Sequence, residues 1–147
     1  MSGRNSFQWL KTYLDNEEEI ANVELDLRRC QIELERYSSG DLRKVKLSKQ
    51  SKASKLEDII ESYNHILKQD YQIRGEVVQL VGRFDGIENT ILKEKYMNGL
   101  SLAQIADIEG IGYSYGTIRR MHAELKRRLT WLNDWDVYTD HDRVKQL

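Results

Sequence analysis

Proline is absent from the 147-residue chain, so the residue that most often breaks helix interiors interrupts nothing here. The one cysteine, Cys30, excludes an intramolecular disulfide. It falls at an apolar position of a helical pattern and is expected to be a small buried hydrophobe in a reducing, cytoplasmic setting. No apolar run approaches the roughly 20 residues that span a bilayer, and no basic segment followed by an apolar stretch opens the chain, so a soluble protein with no membrane partner is expected. The patterns of catalysis are missing too. There is no glycine-rich phosphate loop after a strand and no Cys/His or Ser/His pairing, and His122 has no Cys or His at metal-ligand spacing. Neither an enzyme nor a bound metal or cofactor is expected.

What the chain has is charge at helical spacing. Charged residues make up 32% of it, and Leu, Ile, Glu, Lys and Arg recur with the period of long, solvent-facing helices, which points to an all-α protein. The formal net charge of -1 conceals segregation. Arg119, Arg120, Lys126, Arg127 and Arg128 face the single acid Glu124 between Tyr113 and Leu129. The stretch after Leu132 carries Asp134, Asp136, Asp140 and Asp142, expected to be a solvated acidic tail over residues 133–147.

Apolar residues at Ile20, Val23, Leu27, Cys30, Leu34 and Tyr37 alternate in steps of three and four, as a coiled-coil seam does, and Phe7, Leu10 and Leu14 extend the stripe backward. One helix from Ser6 to Tyr37 is expected, ended by Ser38, Ser39 and Gly40. A Lys- and Ser-rich segment from Asp41 to Lys55 reads as a mobile connector or a frayed helix start. A second apolar face runs from Leu56 through Ile60, Tyr63, Leu67, Val77 and Val81 to Phe84, interrupted by Asp70. Residues 1–86 are therefore expected to be a long helical hairpin or coiled coil. Such a pair of helices buries little by itself and would gain from self-association into a homo-oligomer, a dimer being the first expectation.

After Asp85 and Gly86 the pattern shortens. A helix from Ile87 should stop at Asn98-Gly99; Ser101 can cap Leu102 to Ile108; Glu109-Gly110-Ile111-Gly112 suits a turn; and Ser114 can cap a last helix from Tyr115 to Leu132. A capped short helix, a glycine turn and a second capped helix with bases on its outer face form a helix-turn-helix pattern, whose second helix enters the major groove of double-stranded DNA. Ser114, Tyr115, Gly116, Thr117, Arg119 and Arg120 occupy its opening turns. Arg119 and Arg120 are the candidate base readers, because the guanidinium fork can donate two hydrogen bonds to guanine. Lys126, Arg127 and Arg128, further along, are candidates for the phosphate backbone. Residues 87–132 are the expected DNA-binding domain. For His122 a local structural partner is the plainer expectation, and for Trp9, Trp131 and Trp135 a packing or interface role.

The runs ILKEKYMNGLSLAQIAD (residues 91–107) and YSYGTIRRMHAEL (residues 113–125) resemble region 4 of sigma-70 factors. They resemble more closely the small sigma-region-4-like regulators of bacteriophages and prophages, the ArpU-type proteins among them. The resemblance implies control of phage genes, often late genes, by binding promoter DNA, with host RNA polymerase as a further partner in the bacterial cytoplasm. Carried across position by position, base reading falls on Tyr115, Gly116, Arg119 and Arg120. Gly116 offers no side chain where sigma factors often have a reader, and nothing resembles the sigma region that melts DNA. Two other functions share such a layout: a small terminase subunit for DNA packaging, which generally carries its DNA module first rather than last, and a coiled-coil adaptor that docks on RNA polymerase.

Overall fold

All described secondary structure is helical, the outcome expected of a proline-free chain with heptad-like apolar spacing. The computed structural model describes the backbone of residues 6–38 and 46–146 and the side chains of residues 7–37 and 51–130. In chain order the elements are α1 (Ser6–Lys11), α2 (Tyr13–Ser38), α3 (Lys46–Gly82), α4 (Gly86–Leu92) with a π-helical turn (Lys93–Met97), α5 (Leu102–Ala106) and α6 (Tyr115–Gln146). Among the described residues no helix is long and apolar enough to cross a membrane.

The chain divides into two compact units, one of residues 1–15 with 75–147 and the other of residues 16–74. The boundary expected at Asp85-Gly86 does not coincide with this division. The division falls inside α2 and inside α3. The helix expected from Ser6 to Tyr37 is interrupted at Thr12 into α1 and α2, and its apolar stripe is shared between two cores. The Thr12 hydroxyl donates to the carbonyls of Gln8 (3.1 Å) and Trp9 (3.0 Å), which also accept from its amide.

In the unit of residues 1–15 and 75–147, Leu10, Ile91, Ile105 and Ile118 are fully enclosed, and Val77, Leu92, Leu125 and Leu129 nearly so. Phe7, Leu80 and Val81 complete this core. Each such side chain contributes about 1.5 to 3 kcal/mol relative to exposure. α6 is the spine of the unit, since α1, α4 and α5 all pack against it. Between α4 and α5 the helix expected to run on to Asn98 loosens into the π turn. The amide of Asn98 donates to the Lys93 carbonyl (3.1 Å) and that of Leu100 to Glu94 (2.9 Å).

In the unit of residues 16–74, α2 and α3 meet with opposite numbering. Glu17 pairs with Arg74 (2.6 and 3.2 Å), Asn16 donates to the Asp70 carbonyl (3.0 Å), and Tyr71 donates to Glu24 (2.7 Å). Ile20, Val23 and Leu67 are buried, with Leu27, Tyr63 and Ile66 packed around them. Asp70, the acid that breaks the apolar pattern, is buried, and its Oδ2 lacks a hydrogen-bond partner. Burial and the nearby Glu19 carboxylate push its pKa above the usual carboxylate range. Cys30 is half-buried rather than enclosed, while Leu25, Ile32 and Ile59 are exposed.

Two expected boundaries move. α6 continues through Gln146 rather than stopping at Leu132, so the backbone of most of the acidic stretch is helical. α3 begins at Lys46, inside the segment read as a connector or a frayed helix start, so that segment belongs to the helix from Lys46 onward. The side chains of Trp131, Trp135, Asp134, Asp136, Asp140 and Asp142, and those of the connector through Gln50, lie outside the described residues.

Candidate nucleic-acid interface

Two serines set where the helices of the candidate site begin. Ser101 and Gln104 form a reciprocal capping box: the Gln104 amide donates to Ser101 Oγ (3.1 Å), and the Ser101 amide donates to Gln104 Oε1 (2.8 Å). Two orphan amides at the start of α5 are thereby satisfied. At the start of α6 the Thr117 amide donates to Ser114 Oγ (3.2 Å), and the Ile118 amide donates to the Ser114 carbonyl (2.9 Å). Between the two helices Gly110 and Gly112 have φ of 81° and 75°, left-handed conformations open to glycine at little cost. They turn the chain within the few residues that separate α5 from α6.

The capped start fixes which side of α6 faces inward. Ile118 is fully buried and Met121 packs partly against the core with it. Tyr113 and Tyr115 are 41% and 48% exposed, and Gly116, Arg119 and Arg120 are exposed beside them. A Cβ added at Gly116 would meet nothing within 4 Å, so the fold itself does not require a glycine there. Ser114 Oγ also donates to Thr117 Oγ1 (3.0 Å), which accepts in turn from Arg120 Nη2 (3.3 Å). Through Thr117 the cap and the Arg120 guanidinium belong to one short chain of hydrogen bonds. Arg119 takes part in no ion pair among the described residues. Tyr113, Ser114, Tyr115, Gly116, Thr117, Arg119 and Arg120 thus lie together at one end of α6, anchored by Ile118.

The three later bases separate. Arg127 is exposed. Lys126 is exposed with its ammonium 5.7 Å from the centre of the Phe7 ring. Arg128 turns toward α4, where it forms an ion pair with Glu88 and lies 5.7 Å from the centre of the Phe84 ring. Its charge is compensated within the protein, which sets it apart from the other two as a phosphate ligand. A groove on this side of α6 is lined by Ile87, Glu88, Met121, Glu124 and Arg128. The acids Glu88 and Glu124 therefore sit on a different face from Arg119.

His122 has a structural partner. The Tyr96 hydroxyl and His122 Nε2 are 2.6 Å apart. Burial, with the charges of Lys95 and Lys126, lowers the His122 pKa below its ordinary 6.5, and burial pushes Tyr96 up to about 12. A neutral imidazole accepting from the phenol satisfies both groups. No spacing rule connects residues so far apart in sequence, and pattern alone did not pair them. Among the described residues no three His, Cys, Asp or Glu side chains are grouped to hold a metal ion. Neither a family model, nor a curated protein, nor a solved structure matches the chain.

Proposed function

We propose that the protein is a sequence-specific DNA-binding regulator of transcription, of the sigma-region-4-like kind found in phages and prophages, acting in the cytoplasm of a bacterial host. The observation that carries this reading is the start of α6. Ser114 fixes its first turn and Ile118 seats it on the core, while Tyr115, Arg119 and Arg120 are exposed side by side. A helix held in this way can enter the major groove with its first residues at base edges.

In this reading Arg119 and Arg120 discriminate bases, Lys126 and Arg127 add salt-sensitive affinity for phosphates, and no catalysis is involved. A second copy of the chain would cover the apolar residues Leu25, Ile32 and Ile59, exposed on α2 and α3, and two copies would read repeated or palindromic half-sites. Host RNA polymerase is the further partner that would turn binding into regulation. The test is selection of bound fragments from phage and host genomic DNA by the purified full chain at physiological salt. An enriched motif with repeated half-sites is the expected result. Enrichment of no motif, with RNA polymerase subunits still retained by the chain, would replace the reading with that of a polymerase-docking adaptor.

A further inference from the structure

Three lysines from separate parts of the chain gather around one aromatic cluster. Lys11 on α1 lies 5.1 Å, and Lys126 on α6 5.7 Å, from the centre of the same Phe7 ring. Lys95, in the π turn, lies 5.8 Å from the centre of the Tyr96 ring. The rings of Phe7 and Tyr96 meet edge to face with centres 6.0 Å apart, and Tyr96 carries His122 on its hydroxyl. The ion pairs of Arg29 with Asp26, Arg74 with Glu17 and Arg128 with Glu88 do not involve these lysines. Glu94, on the same turn as Lys95, accepts from Asn98. Ring faces attract ammonium groups, but they do not neutralise the charges of the lysines that share them.

Helical register extends the cluster toward the start of α6. Arg119, His122 and Lys126 follow at steps of three and four and therefore share one side of the helix. Glu88 and Glu124 line the groove on another side.

We propose that Lys11, Lys95 and Lys126 form a phosphate-binding site around the Phe7–Tyr96 ring pair, which holds the DNA backbone beside the bases read by Arg119 and Arg120. The proposal rests on the DNA-binding reading above and adds α1 and the π turn to its interface. Lysine suits this role, since its compact ammonium serves phosphate as a point charge, whereas paired recognition of a carboxylate favours the arginine fork.

The test measures affinity of the full chain for a random-sequence DNA duplex by fluorescence anisotropy across a salt series, with an oligoglutamate peptide as a second ligand. Each phosphate neutralised contributes about 0.9 to the slope of log affinity against log salt. The Lys11→Gln, Lys95→Gln, Lys126→Gln triple variant should lower that slope by about 2 to 3, with a melting temperature no lower than that of the parent. A control carrying Arg28→Gln, Lys55→Gln and Lys68→Gln, all exposed on α2 and α3, should keep the parent slope. Should the triple variant melt early, Lys11→Gln alone decides, with an expected loss of about 1 in slope. Equal slopes for parent and variant would overturn the site together with the phosphate role of Lys126, and would leave base reading by Arg119 and Arg120 standing, as would a loss confined to the oligoglutamate. A parent chain that binds no duplex would overturn both.

Discussion

Replacing Ser114 with alanine removes the acceptor that holds the Thr117 amide and, at the same time, the hydroxyl that links to Arg120 through Thr117. Loss of an N-cap serine costs about 1 kcal/mol, within a range of roughly 0.5 to 2 kcal/mol. For a chain of this length that corresponds to roughly 2 to 4 °C in melting temperature. Ser114→Asp restores the acceptor and suits the positive end of the helix dipole, so its stability should return to that of the parent. The same carboxylate would stand where a DNA phosphate or base edge approaches. Duplex affinity should therefore stay low in Ser114→Asp even though folding has recovered. Urea unfolding followed by circular dichroism, paired with anisotropy on the selected DNA, separates the two effects. A Ser114→Asp variant that folds like the parent and also binds like it would refute the placement of DNA at the start of α6.

Other outcomes follow from the same geometry. Ile118→Ala empties a fully buried position and should cost about 2 to 5 kcal/mol, whereas Arg119→Ala, on an exposed position, should stay within about 0.5 kcal/mol in urea unfolding. The His122 pKa is lowered in the folded chain, so the stability it contributes is present above its ordinary value of 6.5 and is lost as pH falls through the lower folded value. His122→Gln should flatten the fall in melting temperature between about pH 7 and about pH 5; an unchanged fall would place the titration elsewhere. For Asp70 the sign reverses. Its folded pKa is raised, so its contribution is present below the ordinary 3.8 and is lost as pH rises through the folded value. Asp70→Asn should accordingly melt higher than the parent at neutral pH, and a lower melting temperature would contradict that assignment.

How far the sequence revealed the molecule depends on the range of each interaction. Ser101 and Ser114 could be recognised because a cap and its partner are three residues apart, and Ile118 could be placed inward because its spacing to Met121 and Leu125 is local. The break at Thr12 was not read although the stripe slips there: the alternation of Ile20, Val23 and Leu27, continued backward, falls on Tyr13, Trp9 and Ser6, one residue before Leu14, Leu10 and Phe7, and periodicity does not say which core a stripe joins. The π turn at Lys93–Met97 was equally invisible, because Tyr96 and Met97 suit an ordinary helical pattern. In the candidate site, the exposed face of Arg119 and Arg120 was legible from composition. The commitment of Arg128 to Glu88, the link from Tyr96 to His122 and the approach of Lys11 to Phe7 beside Lys126 depend on α1, α4 and α6 meeting in space.

The most direct test takes the DNA motif selected by the parent chain and compares its affinity with that of a scrambled duplex, for the parent and for Arg119→Ala combined with Arg120→Ala. Each bidentate contact to a base carries about 1 to 3 kcal/mol of discrimination. Losing both should shrink the affinity ratio by roughly thirtyfold or more, while salt-sensitive binding to either duplex persists. A ratio unchanged in the double variant would contradict the assignment of base reading to the start of α6.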